Sequence, residues 1–222
     1  MKILHTADWH LGKRLGDFSR IEEQRVVLQE ICEIADREKV DAVIVAGDLF
    51  DTFNPPTEAV ELLYKTLKKL TNNGRRPVIA IAGNHDSPDR IESPDPLARE
   101  CGIIFAGYPH STIPSFHLET GLKVLQSDEG FLELALPNID SPLRILMTPY
   151  ANEFRLKTYL GHENSEEEMR VLLQEKWQQQ LKKYCNSHGV NILVSHLFMI
   201  QKGGLMPEEP EEEKPILHVG GA

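Results

Sequence analysis

"DAVIVAGD", Asp41 to Asp48, decides how this chain folds. Between its two acids every residue from Ala42 to Ala46 is apolar. A strand with one wet face alternates apolar and polar residues, whereas an unbroken run belongs to a strand covered on both faces. Such strands form parallel sheets, whose crossover helices supply the cover. Helical segments stand on either side, as that fold needs. Upstream, "SRIEEQRVVLQEICEIADRE" puts Ile21, Leu28, Ile31 and Ala35 on one face, with Ser19 and Glu22 spaced as a capping box. Downstream, Asn54 and Pro55 read as the cap and first position of a helix ending near Thr71, where Asn72-Asn73-Gly74 stops it. "KILHTAD" and "PVIAIAGN" read as two further strands, completing a βαβαβ unit.

Beyond Gly102 the texture changes. "GIIFAG", "LKVLQS", "FLELAL" and "LRILMTP" are short strands separated by Gly, Pro, Asp and Asn. A long helix comes next, with Ser165 and Glu168 as its cap and Met169, Leu172, Leu173, Trp177, Leu181 and Tyr184 on its inner face. "NILVSH" is one more buried strand. No repeat of fixed period and no linker interrupts the chain. The fold class is α/β, a βαβαβ core with a second sheet packed against it.

At 222 residues, 41% apolar and 26% charged, the chain has the composition of a globular domain. No apolar run approaches the roughly 20 residues that span a bilayer, and the N-terminus does not read as a secretory signal. Three scattered cysteines, Cys32, Cys101 and Cys185, point to reduced thiols and a cytoplasmic protein. The net charge of −10, taken alone, speaks against a nucleic-acid partner. Bound dications would reverse the sign locally. Part of the acidity sits in "PEEPEEEKP", Pro207 to Pro215, which reads as a solvated mobile loop, with a regulatory role as the alternative.

Four strands end in polar residues of one kind. The first ends at Asp8 and His10, the second at Gly47-Asp48 with Asp51 shortly after, the third at Gly83-Asn84-His85-Asp86, the fourth at His196. Ligands of open α/β sheets gather beyond the carboxyl ends of the strands. Singly, each residue has an ordinary explanation as a turn, a cap or a satisfied polar group. Together they suit a divalent ion such as Mn²⁺, Fe²⁺ or Zn²⁺, which takes mixed carboxylate, amide and imidazole ligands. No thiolate is near, so a structural zinc site is not expected. Asp8 and His10, two apart on an extended segment, would face the same side.

The series D-x-H, G-D-x-x-D, G-N-H-D and a later strand-end His resembles the calcineurin-like metallophosphoesterases. Within them, "ILHTADWHLGK", "DAVIVAGDLFDTFNPP" and "AGNHDSP" are similar to the SbcD-type subunits of DNA-repair exonucleases. That similarity is close from Met1 to about Asp89 and returns at "VSHL". It implies a sandwich of two mixed β-sheets flanked by helices. It also implies two divalent metal ions, manganese foremost. Asp8 and His10 would hold the first, Asp48 would bridge both, and Asn84 and His196 would hold the second. His85 would orient the substrate phosphate and protonate the leaving oxygen. Asp51 and Asp86 would support the ligands, as His5 would unless it is a plain core histidine. The activity implied is metal-dependent hydrolysis of DNA phosphodiesters by a two-metal-activated hydroxide. The partners implied are DNA, an SbcC-like ABC-type ATPase and a second copy in a homodimer, with no membrane. A phosphoesterase of nucleotides or other small phosphate esters, and a metal-free scaffold, are the competing readings.

The family pattern includes a later G-H-x-H, one histidine for each metal, which this sequence does not contain. His218 is followed by Val-Gly-Gly and does not fit it. Residues 1–222 are therefore expected to be the N-terminal part of a metallophosphoesterase domain, incomplete at the C-terminus and without the DNA-capping and ATPase-docking regions. Weak or incomplete metal binding and little cleavage are the expected consequences.

Overall fold

The chain opens with β1 (Ile3–Thr6), a short hairpin of β2 (Arg14–Leu15) and β3 (Phe18–Ser19), then α1 (Ile21–Arg37) and β4 (Ala42–Ala46). It continues through α2 (Thr57–Leu70), β5 (Val78–Ile81), α3 (Pro88–Glu92), α4 (Asp95–Arg99) and β6 (Ile103–Ala106). The second half holds β7 (Lys123–Asp128), β8 (Phe131–Ala135), β9 (Leu143–Thr148), α5 (Glu153–Leu156), α6 (Ser165–Tyr184) and β10 (Val190–Ser195). This computed structural model describes residues 1–158 and 165–199. The side chain of Ser165, and so its predicted cap, is not described, and the acidic run Pro207–Pro215 and His218 lie outside the described residues.

Two four-stranded sheets form a sandwich, ordered β1-β4-β5-β6 and β10-β9-β8-β7. The expected sandwich is there, but only its second sheet is mixed among the described strands. In the first, every pair is parallel, with Leu4 opposite Val43, Val43 opposite Val78 and Val78 opposite Ile103. The reason is connectivity: helices carry the chain across between successive strands, so each strand starts from the same end. In the second sheet β10 runs parallel to β9, while β8 is antiparallel to both β7 and β9.

The apolar run at 42–46 is buried at every position because its two faces meet different layers. Val43 and Val45 pack with Val78 and Ala80 under Leu28 and Cys32 of α1 and Leu63 and Leu67 of α2. Ala42, Ile44 and Ala46 face the second sheet, packing with Ile79, Ile81 and Ile104 against Leu132, Leu134, Ile145 and Met147. A smaller cluster holds α6 in place through Met169 and Leu173, packed with Ala151. Farther along α6, Leu181 is 44% exposed, so the inner face predicted for that helix loses contact toward its end.

Three local expectations fail. Ser19 ends β3 and Arg20 takes the N-cap position of α1 without a side-chain cap, while Glu22 pairs with Arg25. The Ser19 hydroxyl accepts instead from Ile21 N, the first residue of α1 (3.4 Å). α2 begins at Thr57 with Pro56 as its N-cap, because Pro55 precedes another proline and is pushed out of the helical region. Asn54 instead accepts a hydrogen bond from Arg90 (3.1 Å). His5 is exposed on the edge strand β1 and belongs neither to the core nor to the site.

Candidate metal centre

The loops after β1 and β4 are zipped together beyond the strands. Asp8 N donates to Gly47 O (3.1 Å), His10 N to Asp48 O (2.9 Å) and Leu11 N to Leu49 O (3.0 Å), and Asp51 N returns a bond to Leu11 O (3.1 Å). Along this ladder Asp8, His10 and Asp48 adopt left-handed backbone, with φ of 56°, 43° and 47°. Residues with side chains hold that conformation at about 1–3 kcal/mol each. The segment is therefore not extended, and strand alternation does not explain the Asp-x-His spacing. The left-handed turns bring Asp8 and His10 together, while Trp9 between them is buried under α1 and donates from Nε1 to Thr6 Oγ1 (3.0 Å).

Two glycines leave room for the site. A Cβ on Gly47 (φ +92°) would lie 2.1 Å from His196 Nδ1, and one on Gly83 would lie 2.0 Å from Asp48 Oδ1. The glycines of G-D and G-N-H-D are thus where site side chains press against backbone.

Asp48 is the centre of the arrangement and is 4% exposed. Its Oδ2 lies 3.6 Å from His10 Nε2 and 3.4 Å from His196 Nε2, and its Oδ1 accepts from the main-chain N of His85 (3.0 Å). His196 Nε2 is also 3.1 Å from Asn84 Oδ1. Ligand atoms of Asp8, His10 and Asp48 lie within 4.8 Å of one another, as do those of His10, Asp51 and His85. The structure thus brings together Asp8, His10, Asp48, Asn84, His196, Asp51 and His85 from four strand ends.

The hydrogen bonds assign the imidazole protons. His196 Nδ1 lies 2.9 Å from Ala46 O, and His85 Nδ1 lies 2.8 Å from Asp51 O. A carbonyl only accepts, so each Nδ1 carries the proton and each Nε2 is left to face the site. At His196 three acceptors then converge: Nε2, Asn84 Oδ1 and Asp48 Oδ2. A proton or a metal ion between them would satisfy all three. Burial alone would depress His196, but the hydrogen bond and charge of Asp48 outweigh it, and the pKa is raised. Burial likewise pushes Asp48 up, yet His196 and the His85 N–H outweigh it and hold the carboxyl below its usual range. His10 Nδ1 is buried without a hydrogen-bond partner, 3.4 Å from Asp51 Oδ1. A donor set of carboxylate, amide oxygen and bare imidazole nitrogen fits a divalent cation.

Asp86 works through the main chain. Its fully buried carboxylate accepts from Leu49 N (3.0 Å), Phe50 N (2.9 Å) and Gly83 N (2.8 Å). It pins the Asp48 loop to the Asn84 loop. Burial raises its pKa against the pull of those three donors.

Two further side chains support the site and belong to none of its sequence motifs. Gln24 of α1 accepts from Gly12 N (3.0 Å) and donates to Trp9 O (3.2 Å) and His10 O (2.7 Å). A signal was available, since Gln24 lies between Ile21 and Leu28 on the apolar face of its helix. Arg155 of α5, 4% exposed, donates to Gly83 O (2.8 Å) and Asp86 O (2.7 Å). Nothing near it in sequence announces that role.

Residues 1–213 match the model of the calcineurin-like phosphoesterase family. The chain belongs to that family. Among its relatives, the D subunit of the SbcCD nuclease of Bacillus subtilis is 37% identical over 226 residues, covering 100% of this chain and 51% of the relative. The protein of the same name from Staphylococcus epidermidis is 28% identical over 221 residues, covering 97% and 50%. That of Rhodobacter capsulatus is 45% identical over 141 residues, covering 62% and 35%. The chain spans about half the length of the first two of these relatives.

Proposed function

We propose that this chain is the metal-binding part of an SbcD-type nuclease, whose chemistry is hydrolysis of DNA phosphodiesters with two divalent ions, manganese foremost; the chain by itself is expected to bind its ions weakly and to cleave little. The observation that carries the reading is the convergence of His10 and His196 on the buried carboxylate of Asp48, with Asn84 set against His196. Asp8, His10 and Asp48 would hold one ion, and Asp48, Asn84 and His196 the other. When bound, the ions would supply Lewis-acid polarisation of the phosphate and a nucleophile at neutral pH.

The residues themselves do the rest. His196 offers a bare Nε2 because Ala46 O holds the proton on Nδ1. Asp51 touches two histidines, with its carboxylate 3.4 Å from His10 and its carbonyl accepting from His85. His85 is thereby fixed with Nε2 facing the site; with both ring nitrogens protonated it would orient a phosphate oxygen and give its Nε2 proton to the departing sugar oxygen, returning to the Nδ1–H form that Asp51 O holds. Its ring lies edge-on to that of His10, with centroids 4.9 Å apart. Asp86 keeps the two loops in register.

An SbcC-like ATPase is the partner proposed from the relatives' names, and a homodimer is proposed from the family resemblance alone. A reducing, cytoplasmic setting suits three free thiols, and no described helix is long and apolar enough to cross a membrane. The test is Mn²⁺ titration by calorimetry, with hydrolysis of linear duplex DNA and of bis(p-nitrophenyl) phosphate measured alongside. Weak binding that Asp48→Asn abolishes is expected, with little cleavage, and that little falling on DNA. The same titration measures whether this chain binds its ions weakly. Hydrolysis of the small ester alone would sink the nuclease reading, and no metal uptake would sink the metal reading.

A further inference from the structure

The loop carrying Asn84 and His85 is spanned from outside by one side chain. The guanidinium of Arg155 donates from one terminal nitrogen to Gly83 O and from the other to Asp86 O. Those two carbonyls bracket Asn84 and His85. The guanidinium itself is set on two sides. It lies 5.0 Å over the ring of Tyr150, and its own main-chain N is capped by Asn152 Oδ1 (2.8 Å). Tyr150 N in turn donates to Ala82 O (2.9 Å), tying the second sheet to the strand end from which the loop departs. A planar fork reaches two carbonyls at once, which a lysine ammonium does not reproduce.

We propose that Arg155 is a positioning residue for the Asn84–His196 half of the metal centre: it fixes where Asn84 Oδ1 and the His85 ring stand without touching a ligand atom. The inference rests on the two-ion reading above. The other half has its own clamp, since Gln24 grips the main chain at Trp9, His10 and Gly12. The two clamps come from different helices and share no hydrogen bond. Their effects should therefore separate by half-site, which general loosening of the fold would not produce.

The experiment is a Zn²⁺ titration of the full 222-residue chain, followed by the ring ¹⁵N shifts of His10 and His196. Removing groups that orient ligands typically lowers metal affinity about 10–100-fold. Arg155→Met is expected to weaken Zn²⁺ by that factor at His196, with much less change at His10. Gln24→Met is expected to show the reverse. Arg155→Lys, which keeps the charge and one contact, should give an intermediate loss at His196 and keeps the test alive if Arg155→Met does not fold. Equal losses at both histidines, or none at His196, would overturn the proposal. A wild-type chain whose histidines do not respond to Zn²⁺ would instead overturn the metal reading, and the inference with it.

Discussion

Asp86→Asn isolates what the buried carboxylate does, because the amide has the same shape. The carboxylate accepts two N–H groups at Oδ2, from Leu49 and Gly83, and one at Oδ1, from Phe50. An amide oxygen can replace Oδ2 and keep two bonds. The NH₂ group must then take the Oδ1 position, facing the Phe50 N–H at 2.9 Å with donor against donor. One charge-assisted bond, at about 1.5–3 kcal/mol, is lost and a buried N–H is orphaned. The two remaining bonds weaken as their acceptor becomes neutral. Relief from burying a charge works the other way, so the net loss is set at about 3 kcal/mol. For a domain of this size that lowers Tm by about 6–12 °C. Calorimetric melting of the two proteins at neutral pH measures it. A Tm within about 2 °C of wild type would refute the account of Asp86 as the pin between the loops.

Other outcomes rest on the same geometry. His85→Gln should leave metal uptake intact while turnover falls about 10²–10⁴-fold, the usual worth of a proton donor; loss of metal in calorimetry would place His85 among the ligands with His10 and Asp51. Gly83→Ala puts a methyl 2.0 Å from Asp48 Oδ1, so Mn²⁺ binding should collapse even where circular dichroism shows a folded chain. The Asp128 carboxyl is held down to about 2, first by the Tyr184 hydroxyl and then by Lys183. A depressed carboxyl stabilises the fold above its unfolded value of about 4, and that contribution is lost as pH falls toward about 2. Urea midpoints at about pH 5 and about pH 2.5, on either side of that unfolded value, should therefore differ less in Asp128→Asn than in wild type; an equal difference would refute the assignment.

Much of this arrangement was legible from strand ends. Unbroken apolar runs mark β4 and β5 as strands covered on both faces, and parallel strands must deliver the loops after them to one edge. Asp8, Asp48 and Asn84 meet for that reason, although they are distant in sequence, and His196 joins them from the end of β10 in the second sheet. Local signals were weaker where a strand ends just before a helix, as at Ser19, or where a second proline comes directly after the first, as at Pro56. Least legible were bonds from a side chain to distant main chain. Arg155 contacts carbonyls 72 and 69 residues earlier, and no periodicity records such a bond. The sequence marks Gln24 by nothing more than a polar residue on an apolar helix face.

The left-handed backbone at Asp8, His10 and Asp48 bears on how this protein can be engineered. Each position spends folding energy on a conformation that glycine adopts freely. Replacing Asp8 or His10 by glycine relieves strain and removes a polar group from a crowded cradle, so the apo protein should gain heat resistance as it loses the centre; Asp48 is the exception, because its carboxylate accepts the His85 N–H. A library sorted for stability alone would drift away from metal binding at these sites first. Selection in the presence of a divalent ion reverses that pressure, because the bound ion stabilises the strained residues and not their replacements.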